Sequence, residues 1–126
     1  MKRALLAGLL LVLVSFPASA HHSTTAEFDV THRMTLAGTL TKVDWVNPHI
    51  VVFMTAKDGD WKFESNPPAW FRRVGVSRAD FAKAIGQAVT VEGNRAKDGS
   101  QYGYLVKITY ADGSSLELVP PGAAAP

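Results

Sequence analysis

Four histidines, His21, His22, His32 and His49, carry most of the metal-binding chemistry open to this chain. His21 and His22 directly follow Ala18-Ser19-Ala20, a run of small residues that reads as a signal-peptidase site. Cleavage after Ala20 makes His21 the amino terminus, and a terminal histidine can chelate a metal with its backbone amine and its ring together. Joined by a further imidazole, that set suits Cu(II), which holds nitrogen ligands more tightly than its divalent neighbours. His49 is the natural third donor, because Asn47-Pro48-His49 lies between two apolar stretches where a connecting loop belongs. The metal candidates are therefore His21, His22 and His49, while His32 adjoins Arg33 in what reads as a surface segment. The plainer account is that His21 and His22 are only a polar start after the cleavage site, in which case the cofactor, if any, is unknown.

Two more groups could hold a ligand. In Trp45-Val46-Asn47-Pro48-His49, Pro48 pushes Asn47 out of the α region, so a short polar link would present its side chains between two strands. Turn chemistry alone also explains Asn and Pro there, with Trp45 in the core and His49 capping a loop carbonyl. Around Asn66-Pro67-Pro68 stand Trp61, Trp70, Phe71, Arg72 and Arg73, and rings beside guanidinium groups can hold an anionic or planar ligand. The alternative has Trp61 and Phe71 plugging the barrel and the arginines solvated. The ligand-binding candidates are thus Trp45, Asn47, His49, Trp61, Trp70 and Arg72.

Several activities have no sequence support. Phosphate-cradling glycine loops, paired histidines on a helix and the nucleophile-elbow serine pattern are all missing. Asp44, Glu64 and Glu92 fall in strands and give no recognisable carboxylate pair. The chain has no cysteine, which excludes disulfides, thiolate metal sites and lipid attachment at cysteine.

Lys2 and Arg3, the apolar run Ala4 to Phe16, and Pro17 to Ala20 form the three parts of a secretory signal in the right order. The apolar run is shorter than the roughly 20 residues a membrane span needs. The expected product is periplasmic or secreted and does not span the membrane. Without Lys2 and Arg3 the basic and acidic side chains balance, so nothing favours a nucleic-acid partner. Just over a hundred residues remain, enough for one small core.

What would position these residues is a set of strands. Asp58-Gly59, Asp98-Gly99 and Asp112-Gly113 each separate segments rich in β-branched and aromatic residues, the strongest short-range hairpin signal. Strands are expected at about 34–46, 49–57, 60–65, 88–96, 101–111 and 115–119. In the first, apolar parity changes between Leu40 and Val43, which a bulge there would reconcile. Tyr102, Tyr104 and Tyr110 should form a half-buried face with hydroxyls at the rim. Between the third and fourth strands, Ser77 and Asp80 make a variant capping box, Val76 and Phe81 are spaced as a staple, and Gly86 ends the helix. That predicts a helix near 77–85 with Phe81 and Ile85 on one face, and one irregular or helical turn over 69–74. The expected core includes Leu36, Leu40, Val43, Val52, Phe63, Phe81, Ile85, Val91, Val106 and Ile108.

The order is that of a mainly β, small OB-like Greek-key β-barrel with one helix between strands three and four, an open β-sandwich being the runner-up. The chain divides into a signal peptide over 1–20, a flexible segment over 21–33 without a strand pattern, a barrel domain over 34–119 and a disordered tail over 120–126.

The start His21-His22-Ser23 with Glu27-Phe28-Asp29, the segment Val43 to His49, and Val91-Glu92-Gly93-Asn94-Arg95-Ala96-Lys97-Asp98-Gly99 resemble the domain of unknown function 6152 family of small exported bacterial proteins. The resemblance implies export and a small β-barrel and carries no catalytic residues. Periplasmic haem chaperones are OB barrels as well, but their haem-attaching histidine lies near the carboxyl end, and here no histidine follows His49. Three functional readings stand: a non-enzymatic exported binding module for an unknown small ligand, a copper-binding or copper-dependent redox protein, and an envelope protein-interaction module.

Overall fold

The computed structural model describes residues 24–118, so the signal segment, His21, His22 and the tail from 119 lie outside the described residues. The described chain runs α1 (Thr24–Glu27), β1 (Phe28–Asp44), β2 (Val51–Ala56), β3 (Gly59–Glu64), α2 (Pro68–Arg73), α3 (Arg78–Ala82), β4 (Ala88–Ala96), β5 (Tyr102–Tyr110) and β6 (Ser115–Glu117). The sheet order is β3-β2-β1-β4-β5-β6, and β3 also pairs with β5 in parallel, which closes five strands into a barrel and leaves β6 as an extension. This is the expected OB-like Greek-key barrel.

Closure needs two strands to come together where an inward ring would ordinarily keep them apart. Phe63 lies at that seam, and a Cβ placed on Gly103 would meet its ring at 2.7 Å. Glycine lets the ring rest on the β5 backbone. On the opposite side β1 serves two partners, β4 up to Thr39 and β2 from Gly38 onward. The register shift between Leu40 and Lys42 is the expected bulge, and it turns Leu40 and Val43 to the same face despite their opposite parity.

The main core joins Leu40, Val52, Phe63, Phe71, Phe81, Val91 and Ile108, all at 0% exposure. Leu36 and Val43 pack at its margin. Ser77 and Asp80 form the capping box, and the Ser77 bonds, backbone first and then side chain, hold the Asp80 carboxyl below its ordinary range. The two Asp-Gly-Ser turns repeat one device: Asp98 accepts from the backbone and hydroxyl of Ser100, and Asp112 from those of Ser114.

Three expectations are corrected. The one expected helix is joined by a second: the irregular or helical turn expected over 69–74 is α2, which Pro68 starts at its first position and which buries Phe71. Ile85 is 45% exposed and not core: the helix gives way after Ala82 to three-residue turns, Ala84 to Phe81 and Ile85 to Ala82, which place Ala84 inside instead. And β1 starts at Phe28 rather than near 34, preceded by a helical turn, so the expectation of no strand over 21–33 fails for 28–33. Asp29 hides the strand from the sequence. It binds Thr31 through backbone and hydroxyl and reaches the His32 ring, making a local kink between the Phe28↔Ala96 and Arg33↔Asn94 pairs.

Candidate functional site

Parallel pairing of β3 with β5 sets Lys62 opposite Tyr102 and Glu64 opposite Tyr104, while the neighbouring residues Trp61 and Phe63 point into the core. Side chains alternate across a strand, so Lys62, Glu64, Tyr102 and Tyr104 share the outer face. Phe28 covers them. Its ring stands 5.1 Å from that of Tyr102 and 5.7 Å from that of Tyr104, and with Ala96 they form a second apolar cluster separate from the barrel interior.

The polar tips of this outer cluster are tied together. The Tyr102 hydroxyl donates to Glu64 Oε2, and Glu64 Oε1 lies 3.3 Å from His49 Nε2. His49 Nδ1 is 3.0 Å from the Ser65 carbonyl oxygen. A carbonyl only accepts, so Nδ1 carries a hydrogen, and Nε2 has a proton to offer Glu64 only when the ring is the imidazolium. Beside this chain Tyr104 donates to Asn66 Oδ1 at 2.6 Å, and Asn66 Nδ2 donates to the Leu118 carbonyl at 3.0 Å. Tyr102 and Tyr104 share this outer face, but Tyr110 packs against the main core, so the expected single face of three tyrosines is corrected: the register shift at Val106 changes the parity of β5 between them.

Electrostatics follow from burial and the carboxylate. Burial raises the Tyr102 hydroxyl above its ordinary value, and the Glu64 hydrogen bond and charge, then the charge of Glu27, raise it further. Tyr104 is pushed up to about 12, first by burial and then by Glu64. Both phenols therefore remain neutral donors at physiological pH. Neither has the depressed ionisation of a nucleophile.

Of the metal and ligand candidates read from the sequence that fall among the described residues, only His49 belongs to this network. Trp45 is half-buried, 5.5 Å from the Phe71 ring and 6.0 Å from Phe81, and serves as the lid of the core. Asn47 is exposed beside Pro48, and the bond between them is cis. Trp61 is buried, stacks at 5.8 Å on Phe63 and donates to Asp58, with the Arg95 guanidinium 5.1 Å above its ring. Trp70 meets Phe71 edge-on at 5.0 Å, while Arg72 and Arg73 are exposed at the end of α2. The arginine stacked on Trp61 is thus Arg95 of β4, not Arg72. His32 sits on Asp29, 3.1 Å away.

Glu64, Tyr102, Tyr104 and Asn66 were not read as site residues. Even spacing in both strands was the available signal, but it could not tell that the outer face would be roofed by Phe28. The three strand carboxylates do not pair with one another: Asp44 binds Lys42 at 2.8 Å, Glu92 lies 3.8 Å from Lys107, and Glu64 takes His49. Among the described residues no group of three or more His, Cys, Asp or Glu is placed to hold a metal ion. Nor, among them, is any helix long and apolar enough to cross a membrane.

A family model described as a family of unknown function (DUF6152) matches residues 8–105, from inside the apolar run to the middle of β5. No curated protein and no solved structure matches the chain.

Proposed function

The chain belongs to the family of unknown function DUF6152, and from that starting point we propose that it is an exported, non-enzymatic binding module of the OB type. Its ligand is taken on the outer face around His49, Glu64 and Tyr102. The observation that carries this reading is the contiguous polar run from the His49 ring, 3.3 Å from the Glu64 carboxylate, to the Tyr102 hydroxyl that donates to that carboxylate, with His49 held at one end by the Ser65 carbonyl and Tyr102 roofed at the other by Phe28. Donors and acceptors held in place before a ligand arrives are what a binding surface requires, since their ordering cost is already met by folding. The test is native mass spectrometry of the chain recovered from the cell envelope. A bound mass that is lost on mild unfolding and absent from Tyr102→Phe and His49→Ala supports the reading. An empty chain, or one found only in the cytoplasm, refutes it.

A second reading, copper binding, is favoured by the His49 ring. A backbone carbonyl on Nδ1 is the usual companion of a metal-bound Nε2, because it fixes the tautomer and orients the lone pair. His21 and His22 would supply the remaining nitrogens, and Thr24 is only three residues from His21, a reach of about 10 Å. On this reading the exported chain begins at His21 and binds Cu(II) stoichiometrically in calorimetry. An extra residue before His21 and the change His49→Ala should each weaken binding, while His32→Ala should not. Copper binding that survives His49→Ala unchanged reduces the site to an exposed amino-terminal chelate and removes the reading.

A further inference from the structure

Outside the network at His49, a row of side chains crosses the barrel's outer face in register: Lys42 of β1 opposite Phe53 of β2, Phe53 opposite Lys62 of β3, and Lys62 opposite Tyr102 of β5. The next row toward the β2–β3 turn holds Thr55 opposite Asp60, joined by a 2.6 Å hydrogen bond. Between the two rows is an open depression of about 290 Å³, lined by Thr41, Lys42, Phe53, Thr55, Asp60 and Trp61 among others. The bulge produces it. Thr41 is the extra residue of β1, unmatched in the register with β2, and the strand bends there.

The contents of the depression select a ligand. Its volume stands at the lower edge of small-molecule sites, which run from about 300 Å³ upward, and so suits one ring with its substituents. Phe53 is half-exposed and offers an apolar face, with the Lys42 ammonium 5.0 Å from its centroid. Around it lie an ammonium donor, a carboxylate acceptor and two threonine hydroxyls that do both. The lining carries one ammonium, Lys42, and one carboxylate, Asp60, and Lys42 is further paired with Asp44 at 2.8 Å, so the depression presents no basic surplus. A net ion gains little from such a surface. A ligand whose own hydroxyls each donate and accept gains at every edge. A nucleotide fits worse, since the basic excess that draws phosphate is lacking.

We propose that this depression binds a single uncharged sugar ring of an oligosaccharide, stacked on Phe53 and hydrogen-bonded to Lys42, Thr55 and Asp60. The proposal rests on the binding-module reading and names its ligand class. Glycan chains extending from the ring would run along the Lys62–Tyr102 row toward His49, which links the depression to the polar network.

Amide chemical-shift titration of the exported chain decides it, using neutral trisaccharides of glucose, galactose, mannose and N-acetylglucosamine as probes and a galacturonic acid trisaccharide as the charged counterpart. At about 10 mM, enough to fill most of a site with a Kd near 1 mM, one neutral probe should move the amides of Thr41, Phe53, Thr55 and Asp60. Phe53→Ala should weaken that probe about tenfold or more, the loss of one buried stacking contact. Asp60→Asn, which keeps the shape and removes the charge, should weaken it less and guards against a misfolded Phe53 variant. Preference for the acidic probe overturns the uncharged-ligand inference and leaves the binding-module reading intact, as does a neutral probe that shifts other residues. No shift from any probe overturns the inference, and if the chain from the envelope also carries no bound mass, the binding-module reading falls with it.

Discussion

Phe81 inside the barrel and Phe28 outside it are almost equally hidden, at 0% and 1% exposure, yet they are buried by different means. Phe81 meets Phe71 at 5.4 Å and Trp45 at 6.0 Å in a cluster of rings and aliphatic chains. Phe28 meets two tyrosines whose hydroxyls lead to Glu64 and Asn66. The inner cluster contributes stability. The outer one contributes less apolar area but determines where a phenol, a carboxylate and an imidazole stand. Burial by itself does not mark a residue as structural, since here the second buried cluster is the support of the candidate site.

The largest separation between the two should come from truncating each ring. Phe81→Ala removes a ring from the centre of the main core and should cost about 3–5 kcal/mol in urea unfolding. A loss below about 1 kcal/mol would place the ring at the surface and undo the account of α3. Phe28→Ala should cost about 1.5–3 kcal/mol, the value of burying one such side chain on a thinner support. Hydrogen exchange distinguishes them better than stability does. The Lys97 amide donates to the Glu27 carbonyl next to Phe28, so its exchange should accelerate locally in Phe28→Ala, whereas in Phe81→Ala it should change only with global stability.

The inner cluster was legible from the sequence because it obeys strand alternation. Trp61 and Phe63, and Val89 and Val91, announce the core side of their strands, and the parity change before Val43 announced the bulge, whereas in β5 a register shift at Val106 breaks the alternation, so that Leu105 and Ile108 join the core cluster. The outer cluster was not legible. Phe28 is separated from the rest of β1 by Asp29, Val30, Thr31 and His32, a kinked stretch in which Asp29 bonds its neighbours and no alternation survives. Glu64 and Tyr102 are 38 residues apart and meet only because β3 and β5 run parallel at the closing seam, a pairing that no local pattern encodes. Ile85 failed for the opposite reason: helical spacing from Phe81 was assumed beyond the point where the helix holds.

Tyrosine ionisation tests the polar side of the comparison. All three tyrosines of the chain are raised, with Tyr104 and Tyr110 each pushed up to about 12, chiefly by burial. In the unfolded chain tyrosine ionises near pH 10. Above that pH the unfolded state releases protons that the folded state retains, so stability is complete below about pH 10 and falls as pH rises toward 12. Absorbance titration of the folded protein should show no tyrosinate step near pH 10 before unfolding begins. A reversible step there, with circular dichroism unchanged, would mean that at least one phenol is open to water and would point first to Tyr102. Tyr104→Phe leaves Asn66 Oδ1 without its donor and should cost about 1–2 kcal/mol.

The smallest expected effect is Ile85→Ala, and it bears on where the inner cluster ends. If α3 continued as an α-helix to Gly86, Ile85 would lie one turn beyond Phe81 on the same buried face, and its truncation would cost at least 2 kcal/mol, the lower end for a core Ile→Ala change. The observed chain tightens after Ala82, and the Ala84 amide bonds to Phe81 while that of Ile85 bonds to Ala82. Three residues per turn rotate Ala84, not Ile85, onto the Phe81 face. Ala84 is accordingly 4% exposed and Ile85 45% exposed. Ile85→Ala should therefore change stability by no more than about 0.5 kcal/mol, as surface substitutions do. Ala84→Leu should cost about 1–3 kcal/mol by overpacking the space beside Phe81. Equal and small effects at both positions would show that the segment after Ala82 does not seal the core, and that Phe81 is covered by Phe71 and Trp45 alone.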